Sequence, residues 1–321
     1  MEKVVIRTVN ISQDTRTFDY APGYSFVRGG ETDSYDWLVV FERFSSDRPF
    51  VCNCPRERTL YISWEPTSVK SYSRPFVNQF GHYLTNRPYE AERHAHYHFG
   101  EGYFPSRVGH TWAELCAPAP EKTKLIASVC TTKRMRQTMH YKRYELTSHL
   151  AATIPGFEWY GRGVCPIERK CDALDAYKYH VAVENHVASG HWTEKLADPI
   201  YAECLTFYAG DPDIGRVLPP ESFIPIPIDN PKEAERIIRT AIENDEYTKR
   251  VEAIREAKRR LTVKYNLWAQ IIKVIEESKD QPVSGPVPFT LYGRKTLWRH
   301  HPYAAVADGF SHFCRYLKGG R

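Results

Sequence analysis

Apolar and polar side chains alternate over residues 179–183 (YHVAV), a period of two that predicts a strand, and the apolar run ends at Glu184 and Asn185. A polar loop containing Gly190 follows, and Thr193 is placed to cap a helix that begins with Glu194 and Lys195 and continues through Leu196, Ile200 and Cys204. Residues 205–209 (LTFYA) form the next apolar run, stopped by Gly210-Asp211-Pro212. Strand, helix and strand in this order predict a βαβ unit. Ligands bind such units where strand C-termini meet helix N-termini, because free N–H groups and the helix dipole favour anions there. A lysine in the first helical turn opposes that dipole, so Lys195 points to a bound anion.

The same reading continues in both directions. Residues 3–9, 36–44, 59–64 and 80–85 predict strands of a first α/β domain. Pro105, Pro118 and Pro120 mark a linker, and a second set opens with a strand at 125–130, a helix at 134–150 and a short strand at 157–160. Asn230-Pro231 starts a long helical region reaching to about residue 278: Asn caps, Pro fits the first turn, and Glu233 and Glu235 suit the dipole. Within it Tyr247, Val251, Ile254, Leu261, Tyr265, Trp268, Ile272 and Ile275 recur at three- and four-residue steps and predict a packing face. Residues 281–288 (QPVSGPVP) break the helix, and the aromatic tail beyond forms a last helix. The fold class is therefore α/β, with an N-terminal domain over residues 1–117, a second domain over 118–285, and a tail, 286–321, expected to dock back on the first.

Length agrees, since 321 residues is about twice a usual domain. The formal charge of +5 is modest and spread along the chain. It suits phosphorylated ligands or an anionic membrane surface better than duplex nucleic acid, which needs a concentrated basic stripe. The polar N-terminus predicts no signal peptide, and no window approaches the ~20 apolar residues of a membrane span, so a cytoplasmic protein is expected. The eight cysteines show no paired metal-type spacing and read as reduced thiols. His94, His96 and His98 alternate and could share one strand face, but no further ligand has recognisable spacing.

Glu184-Asn185, a short loop, Thr193-Glu194-Lys195, a strand ending in Ala209-Gly210-Asp211-Pro212, and Pro219-x-x-Ser222-Phe223-Ile224 occur in that order. This series resembles the donor-binding domain of the α-1,3/1,4-fucosyltransferases, glycosyltransferase family 10, in the form of a soluble bacterial-type member. Upstream, residues 124–150 resemble the family's strand, loop and helix carrying an arginine, with Arg143 best placed among Arg134, Arg136 and Lys142. Residues 62–85 resemble the segment with a strand-end glutamate, the place taken here by Glu65, although Gly81-His82 stands where the family has Asp-Tyr. Val183, His186 and His191-Trp192 also depart from the pattern, which leaves the donor sugar and its base open.

The resemblance implies a GT-B arrangement, two Rossmann-like domains facing a cleft, and an inverting glycosyltransferase. The implied donor is a nucleotide-sugar, GDP-fucose first, and the acceptor a hydroxyl of lipopolysaccharide, a lipid-linked glycan or another bacterial surface glycan. Peripheral contact with the inner membrane surface is a further implied partner; nucleic acid is not. Glu65 is the implied catalytic base and Glu194 the second catalytic carboxylate. Arg143, Asn185, His191, Trp192 and Lys195 are the implied donor-binding residues. No cofactor and no essential metal is expected, because fixed cations take a metal's place and no DxD motif occupies a suitable strand end. Each residue has a plainer reading too: a solvated strand-end acid for Glu65, a helix-surface charge for Arg143, a dipole-matched acid for Glu194, a turn former for Asn185. The alternatives are a different nucleotide-sugar on the same fold, or a non-catalytic protein that binds nucleotide-sugar or glycan.

Overall fold

The computed structural model describes residues 3–9, 17–18, 20–28, 33–42, 48–63, 72–85, 95–97, 109–135, 139–306 and 309–310, with 17–18 and 95–97 as backbone. The chain forms two compact units, residues 1–98 with 270–321, and residues 99–269. Each is built on its own parallel sheet, so the α/β class expected from the sequence is the one observed.

In the first unit the strands are β1 (Val4–Val9), β2 (Thr17–Phe18), β3 (Tyr24–Arg28), β4 (Trp37–Phe41), β5 (Phe50–Cys52), β6 (Thr59–Ser63), β7 (His82–Thr85) and β8 (Ala95–Tyr97). Seven of them make one sheet in the order β2-β3-β1-β4-β6-β7-β8, parallel except for β2 against β3. The central strands read as unbroken apolar runs because both faces are covered: Leu38, Val39, Val40, Leu60, Tyr61 and Ile62 are fully buried. The short helix α1 (Arg74–Val77) buries Phe76 edge-on against Tyr61, 5.2 Å between rings. The strand Phe289–Leu291 pairs antiparallel with β5, Phe289 opposite Cys52, and Leu297 joins the same apolar cluster as Phe76. The chain thus returns to this unit through its tail.

The second unit carries β9 (Lys124–Val129), β10 (Phe157–Tyr160), β11 (Tyr177–Val183), β12 (Leu205–Ala209) and β13 (Phe223–Pro225), all parallel in the order β10-β9-β11-β12-β13. Its helices are α2 (Trp112–Cys116), α3 (His140–Thr153), α4 (Glu194–Tyr201), α5 (Pro231–Glu243) and α6 (Glu246–Arg260). Successive residues of a strand point to opposite faces, and the core is divided accordingly. Ala182 and Tyr208 pack with Leu196 and Ile200 of α4. Val181, Val183 and Phe207 pack with Leu146 and Leu150 of α3 and Ile238 of α5. Asn230 caps α5 by accepting from the Glu233 N–H at 3.2 Å, as its position before Pro231 predicts.

The helical region from 230 to 278 is broken twice. Asp245 takes a left-handed conformation, φ 48°, between α5 and α6. Asn266 ends the π-helical turn Leu261–Tyr265, its amide donating to the Thr262 carbonyl at 2.7 Å while its Oδ1 accepts from the Ala269 N–H at 2.9 Å; α7 (Leu267–Ser278) follows. The stripe read from the sequence is a packing face at Ile254, Leu261, Trp268 and Ile275, each 3% exposed or less.

Candidate active site

Because β9, β11 and β12 are parallel, their C-terminal ends share one edge of the second sheet, the edge where α4 begins. β11 ends at Val183, and Glu184 continues the ladder by donating its N–H to the Ala209 carbonyl at 2.9 Å. The Glu184 carboxylate is fully buried. It accepts from the Thr193 N–H at 2.8 Å and the Thr193 hydroxyl at 2.7 Å, and Tyr208 donates to it at 3.4 Å. Thr193 is the N-cap of α4, its hydroxyl accepting from the Lys195 N–H at 3.3 Å. A buried acid thus supplies the negative charge that a helix N-terminus favours.

Lys195 answers that acid. Its ammonium lies 3.4 Å from Glu184, 3.1 Å from Glu194 and 3.0 Å from the Thr193 hydroxyl, with 16% of the side chain exposed. Burial and the nearby Arg143 charge push its pKa down, but Glu184 and Glu194 outweigh them and hold it above the ordinary lysine range. The anion inferred from a lysine at this helix start is therefore, in the first instance, an internal one. In sequence Glu184 ends a strand and opens the series that leads to Thr193, but no role follows from that alone; its burial depends on bonds from Thr193 and Tyr208 that only the fold brings together.

Arg143 approaches the same edge from α3. It is 7% exposed, its Nη1 donates to Asn185 Oδ1, and its buried Nε has no hydrogen-bond partner. Its basic neighbours turn elsewhere: Arg134 stacks on Tyr144 at 4.1 Å and Lys142 pairs with Asp229 at 2.5 Å. Arg136 lies outside the described residues. One turn before Arg143, His140 has its pKa lowered, first by burial and then by the charges of Arg143, Lys133 and Lys195. His140 thus lies within reach of the charges of Arg143, Lys133 and Lys195, and Lys195 in turn pairs with Glu184 and Glu194. Spacing could have singled out His140, since residues three apart share a helix face.

The loop between β11 and α4 is anchored by the turn after β12. Ser189 donates to Asp213 at 2.6 Å, and Asp211 accepts from the Asp213 N–H at 2.8 Å. Burial raises the Asp211 pKa while the Gly190 N–H, bonded to it, works the other way. The Asp211-Pro212-Asp213 acids thus serve as turn and loop anchors. Gly210 cannot carry a side chain: a Cβ there would lie 2.6 Å from Glu184 Cγ and would also meet the Tyr208 hydroxyl. Gly210→Ala is accordingly expected to cost about 1–3 kcal/mol, measurable by urea unfolding.

Among the sequence-predicted residues, the structure brings Arg143, Asn185, Glu194 and Lys195 together. His191 is 6% exposed and packs edge-on against His186 at 5.4 Å, beside that group in sequence. Trp192 is 1% exposed and belongs to the apolar cluster with Leu196 and Tyr208. Glu65, His94 and His98 lie outside the described residues, as does the side chain of His96.

No family model matches the sequence. Among solved structures, the chain is similar to a crystal structure of alpha1,3-fucosyltransferase with GDP-fucose, with a TM-score of 0.55 and 14% identity over 88% of this chain and 92% of that one. A crystal structure of alpha1,3-fucosyltransferase with GDP matches with a TM-score of 0.53 and 14% identity over 88% and 92% of the two chains. A third, of alpha1,3-fucosyltransferase, gives a TM-score of 0.53 and 14% identity over 90% and 93%. At this identity the likeness establishes a shared fold. No helix among the described residues is long and apolar enough to cross a membrane.

Proposed function

We propose that this chain is an inverting glycosyltransferase of the family 10 type, moving a sugar from a nucleotide-sugar donor to a hydroxyl of a glycan acceptor. GDP-fucose is the first donor to test, and lipopolysaccharide or another bacterial surface glycan the acceptor class. The observation that carries this reading is the grouping of Arg143, Asn185, Glu194 and Lys195 at the C-terminal edge of a parallel sheet, where α/β proteins hold nucleotides. Similarity of fold to fucosyltransferases supports it.

In the proposed reaction the acceptor oxygen bonds to the anomeric carbon as the bond from that carbon to the diphosphate oxygen breaks. Glu65, in the N-terminal unit, takes the hydroxyl proton. The nucleoside diphosphate leaves with its electron pair, and Arg143 and Lys195 stabilise the growing charge. With Asn185 Oδ1 occupied by Arg143, the amide NH₂ is free to donate to the ligand. Glu194, paired with Lys195 at 3.1 Å and 27% exposed in its side chain, is assigned to sugar hydroxyls or to positive charge at the anomeric carbon. His191 borders this ligand, and Trp192, buried in the apolar cluster with Leu196 and Tyr208, acts only through the packing of the loop. Fixed cations leave no step that requires a metal, so EDTA is expected to change the transfer rate by less than about tenfold while the protein stays folded.

A thermal-shift series with GDP, UDP, CMP and dTDP and their sugars tests the donor class. A ligand at about 100 times its Kd stabilises by ~2.7 kcal/mol, so the matching nucleotide raises Tm by several degrees and the others do not. No response to GDP would set fucose aside as the donor, and no response to any of them would set aside a nucleotide-sugar enzyme. Arg143→Ala removes one charged donor to the leaving group, and a ~10²–10³-fold loss in kcat is expected in a transfer assay. Arg143→Lys should recover little of it, because a lysine cannot reproduce the guanidinium fork toward Asn185 and a phosphate together.

A further inference from the structure

At the other edge of the second sheet, the N-terminal one, the chain brings together three side chains that the donor site does not use. His110 directly precedes the capped helix α2, and Cys171 and Asp175 lie one helical turn apart just before β11, joined by the Asp175 N–H donating to the Cys171 carbonyl at 2.9 Å. A ring nitrogen of His110, Cys171 Sγ and an Asp175 carboxylate oxygen all lie within 4.8 Å of one another. His110 Nε2 and Asp175 Oδ2 are 2.8 Å apart, and Glu114 Oε2 is 3.9 Å from His110 Nδ1. Cys171 is 3% exposed.

A second observation bears on the same place. His110, Glu114, Asp175 and Asp198 line one cavity of about 280 Å³. Asp198 is 1% exposed; its Oδ2 pairs with Lys170, and its Oδ1 is buried with no hydrogen-bond partner. An orphaned carboxylate oxygen costs free energy unless something positive or protic meets it. Asp198 therefore adds an unsatisfied carboxylate oxygen on a residue that lines the cavity shared by His110 and Asp175.

We propose that His110, Cys171 and Asp175 form a binding site for a divalent transition metal, Zn²⁺ by its ligand chemistry, with the fourth position open to the cavity that Asp198 lines. Imidazole, thiolate and carboxylate are the ligand types zinc takes, and three protein ligands with one open position is one of its recurring coordination patterns. With bonds of about 2.0–2.3 Å, tetrahedral ligand atoms lie roughly 3.3–3.8 Å apart. The 2.8 Å His110–Asp175 contact must therefore open and the widest separation close, both within side-chain rotation. The seven-residue strand β11 separates Asp175 from Glu184, about 20 Å along the sheet, so the ion takes no part in the transfer. Its effect is to tie the segment before α2 to the start of β11. This proposal is independent of the transferase reading.

The test is a Co²⁺ titration of the full-length, chelator-stripped protein, followed by displacement with Zn²⁺. Thiolate-to-cobalt charge-transfer absorption saturating at one equivalent per chain is expected, with a loss of at least tenfold in affinity for Cys171→Ser and for His110→Ala. Far-UV circular dichroism confirms that the variants fold, and the titration of the unsubstituted protein stands whether or not they do. No thiolate band in the unsubstituted protein, or a band of equal strength in folded Cys171→Ser, overturns the assignment.

Discussion

Glu65→Gln is expected to keep nucleotide binding intact and to lose ~10²–10⁴-fold in turnover, the contribution of a positioned general base. The substitution keeps shape and hydrogen-bonding reach but cannot take a proton. Glu65 follows β6 by two residues, and the end of that strand is fixed: Ser63 is fully buried and shares hydrogen bonds with Tyr83 at 2.6 Å and Thr85 at 3.2 Å. Glu42, which follows β4, is already engaged. It is 9% exposed, its carboxylate accepts from Tyr72, and its carbonyl accepts from Tyr61 at 2.7 Å. Glu42→Gln should therefore lower stability rather than turnover. Product formation measured beside nucleotide calorimetry separates the cases. If Glu65→Gln loses binding and turnover together, Glu65 holds a ligand and is not the base; if turnover is unchanged, the base lies elsewhere. A protein that only binds nucleotide-sugar would show no turnover in either form.

Lys195→Met is expected to destabilise the protein by about 3 kcal/mol, the lower part of the range for removing one partner of a buried ion pair. The lower part applies because Glu184 keeps its bonds from Thr193 and Tyr208 when the ammonium goes. Adding Glu184→Gln to Lys195→Met removes the stranded charge and should restore more than half of the loss, whereas donor binding stays impaired in both. Urea unfolding with a nucleotide titration reads the two quantities separately. Equal stabilities of the single and double variants would show that Glu184 is not what Lys195 compensates.

Local signals carried much of the second unit. The alternation before Glu184, the Thr193 cap and the Gly210-Asp211-Pro212 stop reproduce β11, the start of α4 and β12, because each depends on residues adjacent in sequence, whereas α4 ends at Tyr201, short of the Cys204 expected from the apolar spacing. Pairings that depend on distant partners were not legible. The strand Tyr24–Arg28 is defined by its ladder with β1, and Phe50–Cys52 exists by pairing with a segment more than two hundred residues later. In the site, Arg143, Asn185, Glu194 and Lys195 were accessible from a motif, while Glu184 was not assigned because its charge matters only once burial is known. At the α4 N-terminus Lys195 first completes an internal ion pair, and Arg143 keeps a buried Nε that lacks a hydrogen-bond partner. The cluster of His110, Cys171 and Asp175 spans a break of some sixty residues, which defeats any spacing rule.

Calorimetric titration of GDP into the unsubstituted protein and into Arg143→Ala tests the proposed donor site most directly. The account predicts one GDP site per chain and a loss of more than about tenfold in affinity on substitution, since a charge-assisted hydrogen bond contributes roughly 1.5–3 kcal/mol. Binding of equal affinity in both proteins, or no GDP binding at all, would contradict it.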